Sequence, residues 1–290
     1  KCVYCSISLI FHSVNERLIC HHCGYTEKMP EKCPECGSAY IRQFGMGTQK
    51  LEEELKKHFP GCSVIRMDAD TTTGKNSHEK ILKEFEEKNI NILVGTQMIA
   101  KGHDFSKVTL VGVLAADSLL NVGDYRATER TFQLLTQVAG RAGRDALPGR
   151  VVIQTYNTDN FCIKAACEHD YRGFYRQEII SREKLEYPPF MNIGTVIVSS
   201  DNDRHAQDVS REVFDIYGNK YKNDRDIMLL GAMRAPVPRI KNKYRWRIVI
   251  KSYSEEKLLG LLTDLTDNFR SIRGGRPVQL SVDINPFNML

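Results

Sequence analysis

The sequence predicts an α/β protein in three parts: a Cys-rich module over 1–42, a lobe of alternating helices and strands over 43–186, and an α+β domain of order βαββαβ over 187–290. Three observations predict it. Six of the nine Cys fall in three C-x-x-C pairs within the first 36 residues. The middle of the chain switches repeatedly between helical and strand periods, as βαβ units do. Pro188-Pro189 then stops a polar helical stretch, because a helix cannot continue through it, and a second pattern of strands and helices follows.

With 41% hydrophobic and 27% charged residues, the 290-residue chain has a globular composition, neither disordered nor fibrous. Its longest apolar run, Val108 to Ala116, falls far below the roughly 18 to 20 residues of a membrane span, so no transmembrane helix is expected. Residue 1 is Lys and no secretory signal precedes Cys2, so the chain reads as a piece of a longer protein. The net charge of +5 is only mildly basic, and the distribution of charge has to decide whether nucleic acid is a partner.

The Cys-rich module has too small a core to hold itself together without a staple. Cys2 and Cys5 are separated from Cys20 and Cys23 by fourteen residues, a zinc-ribbon spacing in which each pair offers two thiolates from one tight turn. Four sulfurs leave no open position, so this zinc is expected to be structural. Cys33 and Cys36 form a third pair with only two ligands. Either His21 or His22 completes that site, or its partner pair lies upstream of Lys1; adjacent His residues beside Cys20 cannot easily serve a second ion, which favours the missing pair. Paired thiols of this kind point to a reducing compartment, and Cys62, Cys162 and Cys167 are expected to be ordinary buried thiols.

In the lobe, Leu51, Leu55 and Phe59 recur at helical spacing until Pro60-Gly61, and Ser63 to Asp68 reads as a strand. Asn76 and Glu79 suggest a capping box ahead of the stripe Ile81, Leu82, Phe85. Strands are expected at Ile90 to Gly95, Thr109 to Leu114 and Arg150 to Gln154, with a helix from about Tyr125 to Gly140 and a polar helical stretch from Asn160 to about Leu185. The last domain reads as strand Ile193 to Ser199, helix His205 to Tyr217, strands Ile227 to Met233 and Tyr244 to Lys251, a helix capped by Ser254 over Glu255 to Phe269, and strand Val278 to Ile284. That order suggests a split-βαβ, ferredoxin-like sheet.

Two stretches carry chemistry. In Gln137-Val-Ala-Gly140-Arg141-Ala-Gly143-Arg144, two guanidinium groups three residues apart share one face at a helix end, with glycines allowing close backbone approach. Two such forks suit a γ-phosphate. Gly95 to Phe105 follows a strand and places hydroxyl, amide and carboxylate groups beyond its carboxyl end, where α/β sheets bind ligands. Gly74-Lys75-Asn76-Ser77 is no phosphate loop, since it lacks the glycine five residues earlier. A third signal lies between Gly231 and Lys251, which hold seven basic residues and no acid. There Lys243, Arg245 and Arg247 alternate with Tyr244, Trp246, Ile248 and Ile250, so a strand would bury the aromatics Tyr244 and Trp246 and present a cationic stripe to nucleic acid. The competing reading of that stripe is a solubilising edge strand.

In order, the Thr96 and Arg141 stretches resemble motifs V and VI of superfamily 2 helicases. Adding Gly45-Met-Gly47-Thr48, Arg66-Met-Asp68-Ala-Asp70-Thr71-Thr72, Asp117, Asp124-Tyr-Arg126 with Glu129-Arg130, and the three-pair Cys module, the whole chain resembles the bacterial primosomal protein N-prime (PriA) family of replication-restart helicases. The resemblance implies a RecA-like second helicase lobe, interrupted by the zinc module and followed by a C-terminal DNA-binding domain. It implies two zinc ions in the intact protein, with one complete site in this chain. ATP with Mg is implied too, bound against a first lobe outside the chain, so that the fragment alone is inactive. Arg141 and Arg144 would then be arginine fingers, Gln137 would touch the same phosphate or the attacking water, Asp104 would meet the nucleotide sugar or a finger arginine, and Gly102 and Gly140 would lie against the nucleotide. Thr96, Gln97 and Lys101 would grip the DNA backbone, with Lys243, Arg245 and Arg247 adding contacts; His103 either joins that grip or has no role. The implied partners are forked DNA with single-strand/duplex junctions, single-stranded-DNA-binding protein and other primosome proteins. A monomer in the cytoplasm, associated with the nucleoid, with 3′ to 5′ polarity and no membrane contact, completes the expectation. Two other classes fit parts of the pattern: a related superfamily 2 translocase, which lacks the triple C-x-x-C insertion, and a non-enzymatic zinc and nucleic-acid-binding module.

Overall fold

The computed structural model describes residues 3, 10–12, 16–19, 25–34, 36–39, 47–72, 74, 76–100, 107–120, 124–142 and 148–288. Two compact units share the chain: one draws on residues 1–30, 123–125 and 176–290, the other on 31–122 and 126–175.

Among the described N-terminal residues, β1 (Ile10–His12), β2 (Arg17–Ile19) and β3 (Thr26–Lys28) form an antiparallel sheet in that order.

The lobe begins with α1 (Thr48–His58), which ends where Pro60-Gly61 forbids another turn; its last turn carries Lys56, Lys57 and His58, the charges a helix C-terminus favours. β4 (Val64–Met67) and β5 (Ile92–Gly95) pair in parallel, with α2 (Ser77–Glu87) crossing between them. The expected capping box at α2 does not form. Asn76 sits in the left-handed region at φ 63° and its side chain makes no cap bond, since capping an amide two or three residues on requires an extended N-cap backbone. A 3-10 turn spans Gln97–Ala100. Then come β6 (Leu110–Val113), the short α3 (Asp117–Leu120), α4 (Ala127–Ala139) and β7 (Arg150–Ile153), which pairs in parallel with β6.

The single helical stretch expected from Asn160 is two helices, α5 (Phe161–Cys167) and α6 (Tyr171–Lys184). Asn160 caps α5 by accepting from the Cys162 amide, His169 turns into the left-handed region, and the Asp170 carboxylate accepts from the Gly173 amide to restart the helix. Phe132 of α4 stacks on Phe174 of α6 at 4.2 Å between centroids, and with Ala116, Leu135, Cys162 and Ile163 they form the core of this unit. Cys162 is buried as expected, but Cys62 is only half-buried and Cys167 is exposed, because the α5 face that holds Cys162 against α4 turns Cys167 outward.

After the cis Pro188-Pro189 bond, the terminal domain runs β8 (Asn192–Ser200), α7 (Asp203–Lys220), β9 (Ile227–Ile240), β10 (Lys243–Ser252), α8 (Glu255–Arg273) and β11 (Gln279–Ile284). The sheet is antiparallel in the order β11-β8-β10-β9. Both helices pack on one face: Val209, Val213 and Tyr217 of α7 and Leu258, Leu261, Leu262 and Leu265 of α8 meet Val196, Val198, Ile248 and Ile250. Asn202 and Ser254 accept amide hydrogen bonds at the starts of α7 and α8. β9 is twice as long as expected. Pro236 and Pro238, which argue against a strand, are tolerated because β9 is the sheet edge, where a residue lacking an N–H removes no ladder bond on its outer side. Lys241 and Asn242 both take positive φ and close a two-residue hairpin to β10.

Candidate phosphate and nucleic-acid interface

In the parallel pair, Met67 lies opposite Gly95, so Asp68 and Thr96 emerge from neighbouring carboxyl ends of β4 and β5. Gly95 has to be glycine: a Cβ there would collide with the Met67 carbonyl and the Ile99 side chain. Thr96 and Gln97 are exposed at this end, and the 3-10 turn they open packs beside α4. The far end of α4 carries Gln137 and Gly140, both exposed, followed by the half-buried Arg141. Thus the structure places Thr96, Gln97, Gln137, Gly140 and Arg141 in one unit, on two elements in contact. Lys101, Gly102, His103, Asp104 and Arg144 lie outside the described residues.

Beside them is a cluster the sequence offered only as part of a resemblance. The Thr48 hydroxyl, at the start of α1, donates to Asp68 Oδ2 at 2.5 Å, while the Asp70 and Thr71 amides donate to Asp68 Oδ1 at 3.1 Å. Arg66 Nε stands 3.3 Å from the same carboxylate and 3.7 Å from Glu52. Burial raises the Asp68 pKa, but the Thr48 hydroxyl, the Thr71 amide and Arg66 outweigh it and hold the carboxyl below its ordinary value. The signal was present as Asp-x-Asp-Thr-Thr, a turn in which short polar side chains bond their own backbone; the Thr71 and Thr72 hydroxyls do so at Asp68. Asp117 plays a similar part across β6 and β7, accepting from the Tyr156 amide at 2.9 Å and the Thr155 hydroxyl at 2.8 Å, and these bonds lower its pKa.

The basic strand is less open than expected. Along β10, Trp246, Ile248 and Ile250 are buried as the alternation predicts, whereas Tyr244, near the hairpin end of the strand, is only half-buried, with the Arg239 guanidinium 4.6 Å from its ring centroid. On the other face Lys251 is also buried, its Nζ donating to the Leu185 carbonyl at 2.8 Å and lying 4.2 Å from the Tyr187 ring centroid. Burial lowers its pKa, as it does for the half-buried Arg245 and Arg247. Arg245 donates to the Val237 carbonyl at 3.1 Å and Lys243 to Gln279 at 2.6 Å. The correction has a tertiary cause: the segment around Leu185 to Met191 covers one end of the face that alternation left to solvent. Nor is the region free of acid, since Asp203 accepts from Trp246 Nε1 at 2.9 Å and pairs with Arg234 at 2.5 Å.

Cys2, Cys5, Cys20 and Cys23, with His21 and His22, lie outside the described residues. At the third pair the chain makes a knuckle: the Gly37 amide donates to the Cys33 carbonyl at 2.8 Å, with Gly37 at φ 70°. Two soft sulfur donors on one such turn fit half of a tetrahedral zinc site. Among the described residues, no group of three or more His, Cys, Asp or Glu could hold a metal ion, and no helix is long and apolar enough to cross a membrane.

Comparison with known proteins matches three domain families in order: the PriA DNA helicase Cys-rich region domain over residues 2–28, the helicase conserved C-terminal domain over 39–146, and the primosomal protein N C-terminal domain over 183–287. The chain is 44% identical over 290 residues to the replication restart protein PriA of Bacillus subtilis, which covers all of this chain and 36% of that protein. It is 39% identical to the protein of the same name from Synechocystis, over all of this chain and 34% of that protein, and 35% identical to that of Borreliella burgdorferi, over all of this chain and 43% of that protein. The chain therefore spans well under half the length of the curated relatives it matches.

Proposed function

The chain belongs to the PriA family of replication-restart proteins, and from that membership we propose that it is the C-terminal portion of an ATP-dependent 3′ to 5′ DNA helicase that recognises stalled forks and restarts replication through primosome assembly. In this reading residues 1–42 are the zinc module, 43–186 the RecA-like second lobe, and 187–290 a split-βαβ DNA-binding domain. The order of the three domain matches and the antiparallel order β11-β8-β10-β9 support that division.

The observation that carries the reading is the packing of the Thr96–Gln97 turn against α4, within the span matched to the helicase C-terminal domain. One element ends near Gln137, Gly140 and Arg141, residues suited, with Arg144 three further along the sequence, to meet a nucleotide phosphate whose other contacts, with Mg, come from a first lobe; Gly102 and Asp104 would lie against the same nucleotide. The other presents Thr96 and Gln97 to a DNA backbone, a grip that reads no bases and that Lys101, next in the sequence, would join. Lys243 and Arg247 extend the grip on the terminal domain, while Arg245, bound to the Val237 carbonyl, braces the strand that carries them. Cys2, Cys5, Cys20 and Cys23 hold one zinc, and Cys33 and Cys36 contribute to a second. The protein acts as a monomer in the cytoplasm at the nucleoid, on forked DNA, with single-stranded-DNA-binding protein and other primosome proteins.

Replacing Arg141 or Arg144 by Ala in the full-length protein should abolish DNA-stimulated ATP hydrolysis, a loss of about 10³-fold or more for an arginine finger, with DNA affinity nearly unchanged. Hydrolysis at near the normal rate in both variants would overturn the assignment. The 290-residue chain alone should hydrolyse no ATP.

A further inference from the structure

We propose that the Tyr171–Tyr175 face of α6, flanked by Arg172 and Arg176, is a contact site for single-stranded nucleic acid in which the rings stack on bases and the guanidinium groups meet phosphates. The site is built from residues other than those of the strand-end turns and β10, and it rests on the reading above only for DNA being the ligand of the protein.

Tyr171 and Tyr175 are four residues apart on one helix, hence on one face, and they are 61% and 50% exposed. Their ring centroids lie 6.2 Å apart at an interplanar angle of 33°. The inner side of the pair is anchored, with Tyr171 tilted against Phe132 at 6.1 Å, so its ring is held in place without being hidden. Two exposed aromatic rings leave apolar faces in water, an arrangement that marks a contact surface when it is contiguous.

The flanking charge selects the occupant. Arg172 and Arg176 are exposed on successive turns, and among the described residues neither makes an ion pair or side-chain hydrogen bond, unlike Lys164 of α5, paired with Asp159, and Arg182, paired with Glu178. The acids nearest in sequence are already committed. Asp170 accepts the Gly173 amide at the helix start, and Glu178 holds Arg182 at 2.9 Å in a pair whose side chains are only 12% and 14% exposed. The exposed face from Tyr171 to Gln177 therefore offers π-surfaces and uncompensated guanidinium forks, with no carboxylate. Rings that accept any base beside cations that accept any phosphate form a sequence-tolerant platform for single strands. A protein partner would have to bring acids to this face, and binding to oligonucleotides would then be indifferent to it.

The test is fluorescence anisotropy on the full-length protein with labelled oligothymidylate and an abasic oligonucleotide of equal length. Tyr175→Ala should weaken oligothymidylate binding by about fivefold or more while leaving the abasic strand unaffected, and Tyr175→Phe should restore it. Tyr171→Ala should behave alike; because Tyr171 packs on Phe132, Tyr175 provides the variant whose folding is least at stake. Arg172→Gln and Arg176→Gln should weaken both ligands equally, each flattening the slope of log K against log salt by about 0.7. If the parent protein binds oligothymidylate and all the variants match it, the platform is excluded while the helicase reading stands. If the Tyr variants lose the abasic strand equally, the role is structural and the stacking proposal fails. A parent protein that binds no oligonucleotide would overturn both.

Discussion

Asp68 is only 5% exposed, yet it accepts three hydrogen bonds and faces Arg66, so its charge is held by groups from α1, β4 and the turn that follows. Asp68→Asn keeps an oxygen for the two amides but loses the ion pair and the charge-assisted bond from Thr48. It should cost about 1 to 3 kcal/mol in urea unfolding at neutral pH. The sign of the pH dependence follows from the lowered pKa. A depressed carboxyl contributes stability that is complete above its unfolded value, near the reference 3.8, and is lost as pH falls through the folded value. The gap between parent and variant should therefore be constant from neutral pH down to about pH 5 and narrow below about pH 4. A gap that widens on acidification would refute this account. The sequence marks Asp68 as a turn residue through Thr71 and Thr72, but nothing in it reports that Thr48, twenty residues earlier, closes the cluster.

At the level of elements, periods of 2 and 3.6 place nearly every strand and helix of the terminal domain, and they place Trp246 inside. They do not tell which side of β10 a neighbouring segment covers. That shortfall alters the expectation for the cationic strand. Arg245 is committed to the Val237 carbonyl, whereas among the described residues Lys243 is held by the neutral Gln279 alone. Lys243→Gln with Arg247→Gln should flatten the salt dependence of single-strand binding by about 1.4 units of slope, and adding Arg245→Gln should reduce stability without flattening it further. A triple variant with an unchanged slope and native-like folding would show the strand to be a solubilising edge. The capping box at Asn76 failed for a related reason: the residue types fit, but the chain arrives in a left-handed conformation that aims the side chain elsewhere.

For the molecule as a whole, metal is the expected staple, because a Cys-rich stretch of about 40 residues buries too little to fold unaided. Purified full-length protein should carry at least one zinc per chain by elemental analysis. A strong chelator should remove it together with the protease resistance of residues 1–42, and Cys20→Ser should lower the stoichiometry by one. Clearly less than one zinc per chain would sink the assignment.

The features legible from residue order alone are local: the Cys pairs, the strand-end and arginine motifs, the order of strands and helices, and the break at Pro188-Pro189. Each of these is written in spacing, period and turn chemistry over a few residues, and the three domain matches fall on the same stretches. Which polar groups are already spent is set by packing across the fold. The fold brought Asp203 to Arg234 and Trp246, put Lys251 beneath Tyr187, joined Thr48 to Asp68, split the Asn160 stretch into two helices, and left Arg172 and Arg176, among the described residues, without an ion pair on the exposed face of α6. The reason is physical. Propensity and periodicity are properties of neighbouring residues, whereas burial and charge compensation depend on what packs across the fold, and that partner is usually distant along the chain.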